Sequence, residues 1–327
     1  MNSMILHIKI RVLCYFLILT FIISSLALGQ DNELEIFKEI KELRTLNGHY
    51  FTPSNTIKYP FILTHVRMSL GLGEISDIKY PLVEVGDEQY FFLQGEILAA
   101  LLSFEYQHAV KEWLALYVRL GLIGRIGSDF GSLLVQGVNY SATFDIGWMI
   151  QTYRGDDFAL STSVGVTNGN YSIINLNNFI DDIINKVPNA SLTKSNNSLY
   201  GLLGIKAAYG FSKFFGLNFL ADLGYGETIQ RELENKWFTT IGINADMNFV
   251  GIIKTPLALS IGYLFSNYPK NNDEVIFNRN IILTQISYIG RTNFILSLDL
   301  SASRELAGTH EETFWLKTAQ FSMRYLF

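Results

Sequence analysis

The sequence is poor in charge, has one cysteine and contains no long apolar run beyond its N-terminal region. Charged residues make up 17% of the chain, whereas an average soluble domain has roughly 25%. The cysteine, Cys14, lies inside the N-terminal apolar run, and a lipid-anchored protein would carry its cysteine just after that run. Loss of this region would leave no thiol, which excludes a disulfide and a cysteine-ligated metal.

The N-terminal region has the pattern of a secretory signal peptide. Lys9 and Arg11 precede the apolar run "VLCYFLILTFIISSLAL", and small residues stand at Ala27 and Gly29. The pattern predicts a signal peptide over residues 1–29, cleaved before Gln30. A membrane anchor is the alternative, but the run is near the lower length limit for a span.

The remainder is acidic and only intermittently apolar. Two of the 25 basic residues lie in residues 1–29, which leaves 23 against 30 acidic residues and a net charge of −7. An acidic chain argues against nucleic acid as a partner. Hydrophobic residues reach 49% of the chain, yet the longest strong run is "ILAALLSF". This combination favours a membrane protein built of strands over one built of helices.

Apolar and polar residues alternate with a period of two from Thr64 onward, which predicts β-strands. In "WLALYVRLGL", for example, Leu116 and Leu120 share one face, and Tyr117 and Arg119 share the other. The pattern predicts about twelve strands, the second being the least clear because both of its faces are apolar: 63–74, 90–106, 112–123, 136–152, 158–167, 199–211, 215–225, 237–249, 256–265, 281–289, 294–304 and 315–327.

The connections between these strands alternate between short and long. The short ones are 107–111, 154–157, 212–214, 250–255 and 290–293, and the long polar ones are 75–89, 124–135, 168–198, 226–236, 266–280 and 305–314. An outer-membrane barrel has this layout, with tight periplasmic turns, longer external loops and an even strand number. The sequence therefore predicts a closed antiparallel up-and-down transmembrane β-barrel over residues 63–327.

A soluble β-sandwich would alternate too, so the composition of the two faces matters. The polar face is mostly Gly, Ser, Ala, Thr and Asn with sparse charges, which suits a confined interior. Trp148, Trp237 and Trp315 fall on the apolar face near predicted strand ends, where indoles can lie at lipid headgroups. Trp113 falls on the other face.

The chain closes with "AQFSMRYLF", in which aromatic and apolar residues occupy every second position. This ending resembles the C-terminal assembly signal of the bacterial outer-membrane β-barrel class, carried here by Phe321, Met323, Tyr325 and Phe327. The resemblance covers nearly all of the chain after residue 29. It implies localisation in the outer membrane of a Gram-negative bacterium, with membrane lipid and the barrel-assembly machinery as partners. It indicates no functional family.

Two segments outside the strands have helical patterns. "DNELEIFKEIKELRTLNG" has an N-cap at Asn32 and a C-terminal stop at Asn47-Gly48, and it predicts a periplasmic helix within a segment spanning residues 30–62. Such a helix could cap the rim, plug the barrel mouth or bind a periplasmic partner. "NLNNFIDDIINKVPN" predicts a second helix in the longest external loop, packed on the rim or folded across the entrance as a lid.

Charges of both signs lie on the inward face of the predicted barrel. A hairpin centred on Phe214 would pair Lys206 directly with Asp222. These charges either neutralise one another within a filled interior or form a constriction without strong ion preference. The predicted lumen residues are Arg67, Arg119, Asp145, Lys206, Asp222, Asp246, Asp299 and Arg324, with Glu105 as a less clear member.

Enzymatic chemistry finds little support in the sequence. Neither His65 nor His108 has a serine two residues away, which the outer-membrane phospholipase type requires. His310 stands beside two glutamates in a predicted external loop, where a lone histidine is usually solvated. We expect no metal site and no cofactor, because neither a ligand spacing nor a phosphate-binding loop is present. The first hypothesis is a narrow porin-like channel for small polar solutes; a partner-binding accessory barrel and a surface enzyme are the alternatives.

Overall fold

The computed structural model describes residues 42–85, 88–126, 137–174, 182–188, 191, 193–227, 235–253, 255–269, 276–307 and 312–327. The predicted signal peptide, residues 30–41 of the predicted N-terminal helix, and His310 lie outside these ranges. None of the helices in the described residues is long and apolar enough to cross a membrane.

Twelve long strands form a closed antiparallel barrel in which each strand pairs with its neighbours in sequence. Period-two alternation of apolar and small polar residues produces these strands, because successive side chains point to opposite faces. Their bounds are β3 (His65–Val85), β4 (Glu88–Lys111), β5 (Leu114–Ile126), β6 (Gly137–Arg154), β7 (Phe158–Ile174), β8 (Thr193–Gly210), β9 (Phe215–Glu227), β10 (Asn235–Asn248), β11 (Leu257–Pro269), β12 (Ile276–Tyr288), β13 (Phe294–Ala307) and β14 (Glu312–Leu326).

The last strand pairs with the first and closes the sheet. The β14–β3 register runs from Trp315 opposite Ser76 to Leu326 opposite His65. Closure leaves no edge whose backbone groups would face lipid. The predicted class and the strand number of twelve are therefore confirmed, including the doubtful second strand.

The two ends of the barrel differ. At one end, which we call the turn end, short connections join the strands, and β3 begins and β14 ends there. One connection carries the short helix α1 (Val250–Ile253). At the other, the loop end, β3 and β4 remain paired with each other as far as Val85 and Glu88. The predicted long loop at 75–89 was therefore wrong, because these residues extend the β3–β4 hairpin.

The end of the predicted N-terminal helix needs correction in the described residues. Thr45–Leu46 (β1) and His49–Tyr50 (β2) form a two-stranded hairpin. Asn47 and Gly48 have φ values of 49° and 75° and form its turn, so they do not stop a helix there. Asn-Gly favours such a hairpin turn because both positions accept a positive φ. In the longest loop the described part contains one helical turn at residues 182–184.

The two faces of the barrel differ in polarity. Leu70, Leu203 and Ile282 are among the large apolar side chains on the outside that remain more than half exposed. The buried residues of the inward faces include many hydroxyl, amide and charged side chains, such as Ser163, Asn244 and Arg324. An apolar outer belt around a polar interior is the arrangement of a transmembrane β-barrel.

Residues 42–64 lie inside the turn end of the barrel, and we call them the plug. Phe51 and Phe61 have no exposed surface, and Ile57 has 1%. The chain enters with the β1–β2 hairpin, turns within the lumen near Ser54, and returns to the turn end to start β3. The sequence instead predicts a periplasmic helix and linker for this segment.

Candidate functional site: a plugged lumen

The lumen contains all eight charged residues that the sequence placed there. Four are buried and four are partly exposed. They fall into three groups by their contacts: the Glu105 cluster, the pair formed by Lys206 and Asp222, and two carboxylates that bind the plug directly. The buried residues are Arg67, Lys206, Asp246 and Arg324, and the partly exposed ones are Arg119, Asp145, Asp222 and Asp299.

Glu105, the less clear member of the predicted set, is the centre of the largest charge cluster. Its carboxylate accepts hydrogen bonds from Lys58 of the plug at 2.6 Å, Arg67 at 3.2 Å and Arg119 at 3.1 Å. His65 Nε2 lies 2.9 Å from the same carboxylate and Arg324 Nη2 3.6 Å from it. One buried carboxylate thus holds a plug lysine against a wall of basic groups.

Arg119 connects this cluster to a second carboxylate. Its Nη1 donates to Asp145 Oδ2 at 2.9 Å, and Thr167 Oγ1 donates to Asp145 Oδ1 at 3.3 Å. Arg119 also lies 4.4 Å from the centre of the Tyr117 ring. The guanidinium is therefore fixed between β4 and β6 by charge-assisted bonds.

Lys206 and Asp222 are close, but the predicted direct pairing was wrong. The β8–β9 hairpin centres on Lys213, so Lys206 is opposite Leu220 and Asp222 is opposite Gly204. Lys206 Nζ donates to Ser163 Oγ at 2.5 Å and lies 3.9 Å from Asp222 Oδ1. The two residues form a diagonal ion pair across the inner face.

Asp246 anchors the plug near the turn end. It has no exposed surface and accepts hydrogen bonds from the Thr52 backbone N–H at 2.6 Å and from Thr52 Oγ1 at 2.8 and 2.9 Å. Thr52 Oγ1 also lies 3.2 Å from Ser260 Oγ. A buried carboxylate is stabilised by such donors, so the plug satisfies a wall group that would otherwise need water.

The tip of the plug, Ser54 to Thr56, is bound by polar wall groups. Asn55 Nδ2 donates to Asp299 Oδ2 at 2.8 Å and to Gln320 Oε1 at 3.4 Å. Asn55 Oδ1 accepts from Ser69 Oγ at 3.3 Å. Ser54 Oγ accepts from the Ile57 N–H at 2.7 Å and stabilises the tight reversal of the chain.

A cavity of about 30 Å³ lies between this tip and the wall. The tip residues form one side, and Asn244, Asp299 and Gln320 are among the residues on the other. Its volume suits one or two water molecules.

Apolar contacts hold the two legs of the plug. Ile57 packs in a cluster with Leu220, Leu264, Ile281 and Leu283 of the wall. Ile62 packs against Tyr117 and Met149. Gln107 Nε2 fixes the returning leg by donating to the carbonyl oxygens of Phe61 and Leu63 at 3.1 and 3.0 Å.

The β1–β2 hairpin closes the mouth at the turn end. Asn47 donates from its N–H to the Asp156 carbonyl at 2.6 Å and from Nδ2 to the Gly210 carbonyl at 3.2 Å. Arg44 Nη2 donates to the Thr292 carbonyl at 2.6 Å. Burial lowers the pKa of Arg44 to about 9. Three different turns of the barrel therefore hold the hairpin.

His49 is enclosed on the inner side of the hairpin. Burial lowers its pKa to about 4, so the imidazole is neutral at pH 7. Its Nε2 lies 3.9 Å from Asp246 Oδ1, and its ring packs edge-on against Phe51 at 4.5 Å. A Cβ at Gly216 would lie 2.6 Å from both rings, so the wall accepts His49 and Phe51 only because this residue is glycine.

The outer surface agrees with the predicted aromatic positions. Trp148, Trp237 and Trp315 are 42%, 61% and 41% exposed. Met323 and Tyr325 also face outward, with 43% of each side chain exposed.

Other sites for chemistry are scarce in the described part of the chain. It contains no group of three or more His, Cys, Asp or Glu residues that could hold a metal ion. His108 is exposed and stacks on Tyr106. His65 is buried, and its Nε2 lies 2.9 Å from the Glu105 carboxylate.

The plug residues are the main feature that the sequence reasoning missed. "FTPSNTIKYPFIL", residues 51–63, is rich in large apolar residues but has neither helical nor strand periodicity and contains two prolines. An apolar segment without periodicity next to a membrane barrel needs a place to be buried, and the lumen is available. That reasoning could have found the plug.

Comparisons with known proteins identify barrels of similar shape. No protein-family model matches the chain, and no curated protein is similar to it in sequence. An outer membrane channel from Pseudomonas putida F1 is 10% identical, with a TM-score of 0.48 over 85% of this chain and 100% of that one. The translocator domain of autotransporter NalP from Neisseria meningitidis is 10% identical, with a TM-score of 0.47 over 81% of this chain and 88% of that one. The NanC porin is 7% identical, with a TM-score of 0.46 over 80% of this chain and 98% of that one. All three TM-scores are below 0.5, so these likenesses support no conclusion about function.

Proposed function

We propose that this protein is a narrow porin-like channel of the outer membrane for small polar solutes, closed at rest by its own plug. The observation that carries the proposal is the polar lining of the lumen at the level of the plug. The wall binds the plug through hydroxyl, amide and charged groups, for example Thr52 on Asp246 and Asn55 on Asp299. Water and polar solutes can replace such partners when the plug withdraws.

The orientation follows from the two ends of the barrel. Short turns belong to the periplasmic side in barrels of this kind, so the plug enters from the periplasm. A signal peptide at residues 1–29, cleaved before Gln30, would export the chain. Phe321, Met323, Tyr325 and Phe327 are the proposed signal for the assembly machinery, and the segment before the plug is the proposed binding site for a periplasmic partner.

The charges of the open channel would be mixed. Arg67, Arg119 and Arg324 lie on β3, β5 and β14, while Asp222 and Asp246 lie on β9 and β10, across the barrel. We therefore expect weak selectivity between anions and cations. Asp222→Lys should shift the reversal potential towards anion selectivity in an open barrel, and an unchanged potential would exclude Asp222 from the pathway.

A second candidate is an accessory barrel that stays closed and acts through partner proteins. The tight burial of Phe51 and Phe61, neither of which has exposed surface, favours this reading. The two candidates differ in whether the plug leaves the lumen.

A disulfide lock distinguishes the two candidates. Thr52 Oγ1 and Ser260 Oγ are 3.2 Å apart, so Thr52→Cys together with Ser260→Cys places two thiols close enough to bond after small adjustments. Because Cys14 is the only native cysteine and lies in the predicted signal peptide, no other disulfide competes. We expect single-channel steps in planar bilayers under reducing conditions and their loss on oxidation. Each single-cysteine variant is the matched control and should not respond to oxidant.

Deletion of residues 44–62 tests whether the barrel conducts ions once the plug is absent. The deletion leaves every barrel strand intact, and circular dichroism and heat-modifiable gel mobility report whether the barrel folds. A folded deletion variant that conducts shows an open lumen behind the plug, which supports the channel when the disulfide lock also abolishes conductance. A folded deletion variant without conductance refutes the channel and supports the accessory barrel.

A further inference from the structure

We infer that the plug tip occupies a binding site for neutral polyhydroxylated solutes of the sugar class, and that such a solute opens the channel by competing with the tip. This inference rests on the proposed channel function and specifies its solute. The site includes the cavity between the tip and β10 to β14.

The wall of this cavity has hydrogen-bonding groups that the plug leaves unused. Asn244 is 2% exposed and Gln285 3% exposed. Within the described part of the chain, Asn244 Nδ2 and Gln285 Oε1 have no hydrogen-bond partner, although both residues line the cavity. A buried polar group without a partner costs free energy, so an unpaired donor and an unpaired acceptor together indicate a ligand that offers both.

The tip itself shows what the site recognises. Asn55 uses one carboxamide to donate to Asp299 and Gln320 and to accept from Ser69. Thr56 and Ser54, both hydroxyl residues, complete the tip. The site therefore binds a compact group that both donates and accepts at adjacent atoms, as the hydroxyls of a sugar do.

The remaining wall residues fit the same chemistry. Ser301 Oγ and Thr318 Oγ1 lie 2.6 Å apart at the edge of the cavity. Leu283 provides an apolar patch beside them, which suits the C–H surface of a sugar ring. Hydroxyls, amides and one carboxylate around a small apolar patch discriminate by hydrogen-bond pattern more than by charge.

The charge balance favours a neutral solute. Asp299 is the one carboxylate among the residues lining the cavity, and Arg67 and Arg324 interact with it electrostatically. The positive charge of these two guanidiniums offsets the negative charge of Asp299, so the site gives neither a cation nor an anion a strong advantage. With the tip in place the cavity has room only for water, so a sugar can enter only as the tip leaves.

Cysteine labelling of the full-length protein measures tip release. Thr56→Cys places the only exported thiol at the tip, where a seated plug slows its reaction with a maleimide. We expect 100 mM glucose to raise the labelling rate several-fold and glycine betaine at equal osmolality to leave it unchanged. Equal rates in both solutes would overturn competition at the tip.

Current block in the barrel lacking residues 44–62 tests the site without the plug. Glucose should reduce the ion current reversibly, and Asp299→Asn should weaken this block about tenfold, since a charge-assisted hydrogen bond is lost. Ser301→Ala should weaken it as well. Ser287→Ala is the matched control, because its hydroxyl bonds Ser297 Oγ at 2.8 Å outside the cavity, and it should keep the block.

These experiments distinguish failure of the proposed channel function from failure of the proposed solute class. A folded deletion variant that does not conduct refutes the channel itself. A conducting variant that glucose does not block refutes only the solute class. Stronger block by glucuronate than by glucose at equal concentration also refutes it, because the site would then prefer an anion.

Discussion

Glu105→Gln should destabilise the protein far more than its change of one atom suggests. Glu105 is 4% exposed and contacts Lys58, Arg67, Arg119, Arg324 and His65 at 2.6 to 3.6 Å. Removing one partner of a buried ion pair leaves the other charge uncompensated and costs about 3–5 kcal/mol. Because several basic groups share this carboxylate, we expect a loss of at least that size.

Lys58→Met should have a much smaller effect. Lys58 loses its 2.6 Å bond to Glu105, but Glu105 keeps Arg67 and Arg119 as donors. The change also removes a cation from the neighbourhood of two guanidiniums and ends the desolvation of a buried ammonium group. We expect a net change in the free energy of unfolding of about 1 kcal/mol or less.

Urea unfolding in lipid vesicles, followed by tryptophan fluorescence, measures both variants. Glu74→Gln is a control for loss of charge alone, because Glu74 and Lys317 form a partly exposed pair at 4.0 Å that should contribute less than about 1 kcal/mol. A similar loss of unfolding free energy in Glu105→Gln and Lys58→Met would refute this prediction. The expected difference arises because Glu105 is a single carboxylate shared by several cations, whereas Lys58 is only one of those cations.

Three further changes test the seating of the plug. Lowering the pH from 7 to 5 should weaken seating of the native plug by about 2 kcal/mol relative to that of His49→Gln, because released His49 binds a proton near pH 6.5 and seated His49 only near pH 4. Asp246, which lies 3.9 Å from His49, is present in both proteins, so its own protonation does not enter this difference. Tryptic cleavage within the plug should therefore rise more on acidification in the native protein than in His49→Gln, and equal changes would exclude His49 as the cause. Gly216→Ala should displace His49 and Phe51 and increase conductance in bilayers, whereas unchanged closure would show that the wall adapts to the added methyl group. Phe61→Ala should cost about 3–5 kcal/mol of seating, measured by the same cleavage rate, and a native rate would mean that the aromatic packing contributes little.

The sequence was sufficient for the barrel because its signal is local and repeated. Alternation in Leu116 to Leu122, for instance, already separates the lipid face from the lumen face. The alternating short and long connections indicate that each strand pairs with its neighbours in sequence. Register is less accessible: whether the β8–β9 turn centres on Phe214 or on Lys213 depends on packing around the turn. The shift of one position moved Lys206 from Asp222 to Leu220.

No local sequence pattern predicts the position of the plug, because the residues that bury it belong to strands that are distant in sequence. Asn47-Gly48 can end a helix or form a hairpin turn, and only the contacts with Asp156 and Gly210 determine which. Glu105 appeared marginal because both faces of its strand are apolar. Its importance arises from neighbours on β3, β5, β14 and the plug, which are far apart in sequence.

The plug continues without a linker into β3, the strand that closes the barrel by pairing with β14. At this junction Phe327 donates its N–H to the Thr64 carbonyl at 3.0 Å. A withdrawn plug consequently stays attached to the rim, and about 20 residues reach at most roughly 70 Å from it. At such distances a tethered segment meets its seat at millimolar effective concentration. Reclosure would then be an intramolecular step, and its rate would not depend on how many copies of the protein the membrane contains.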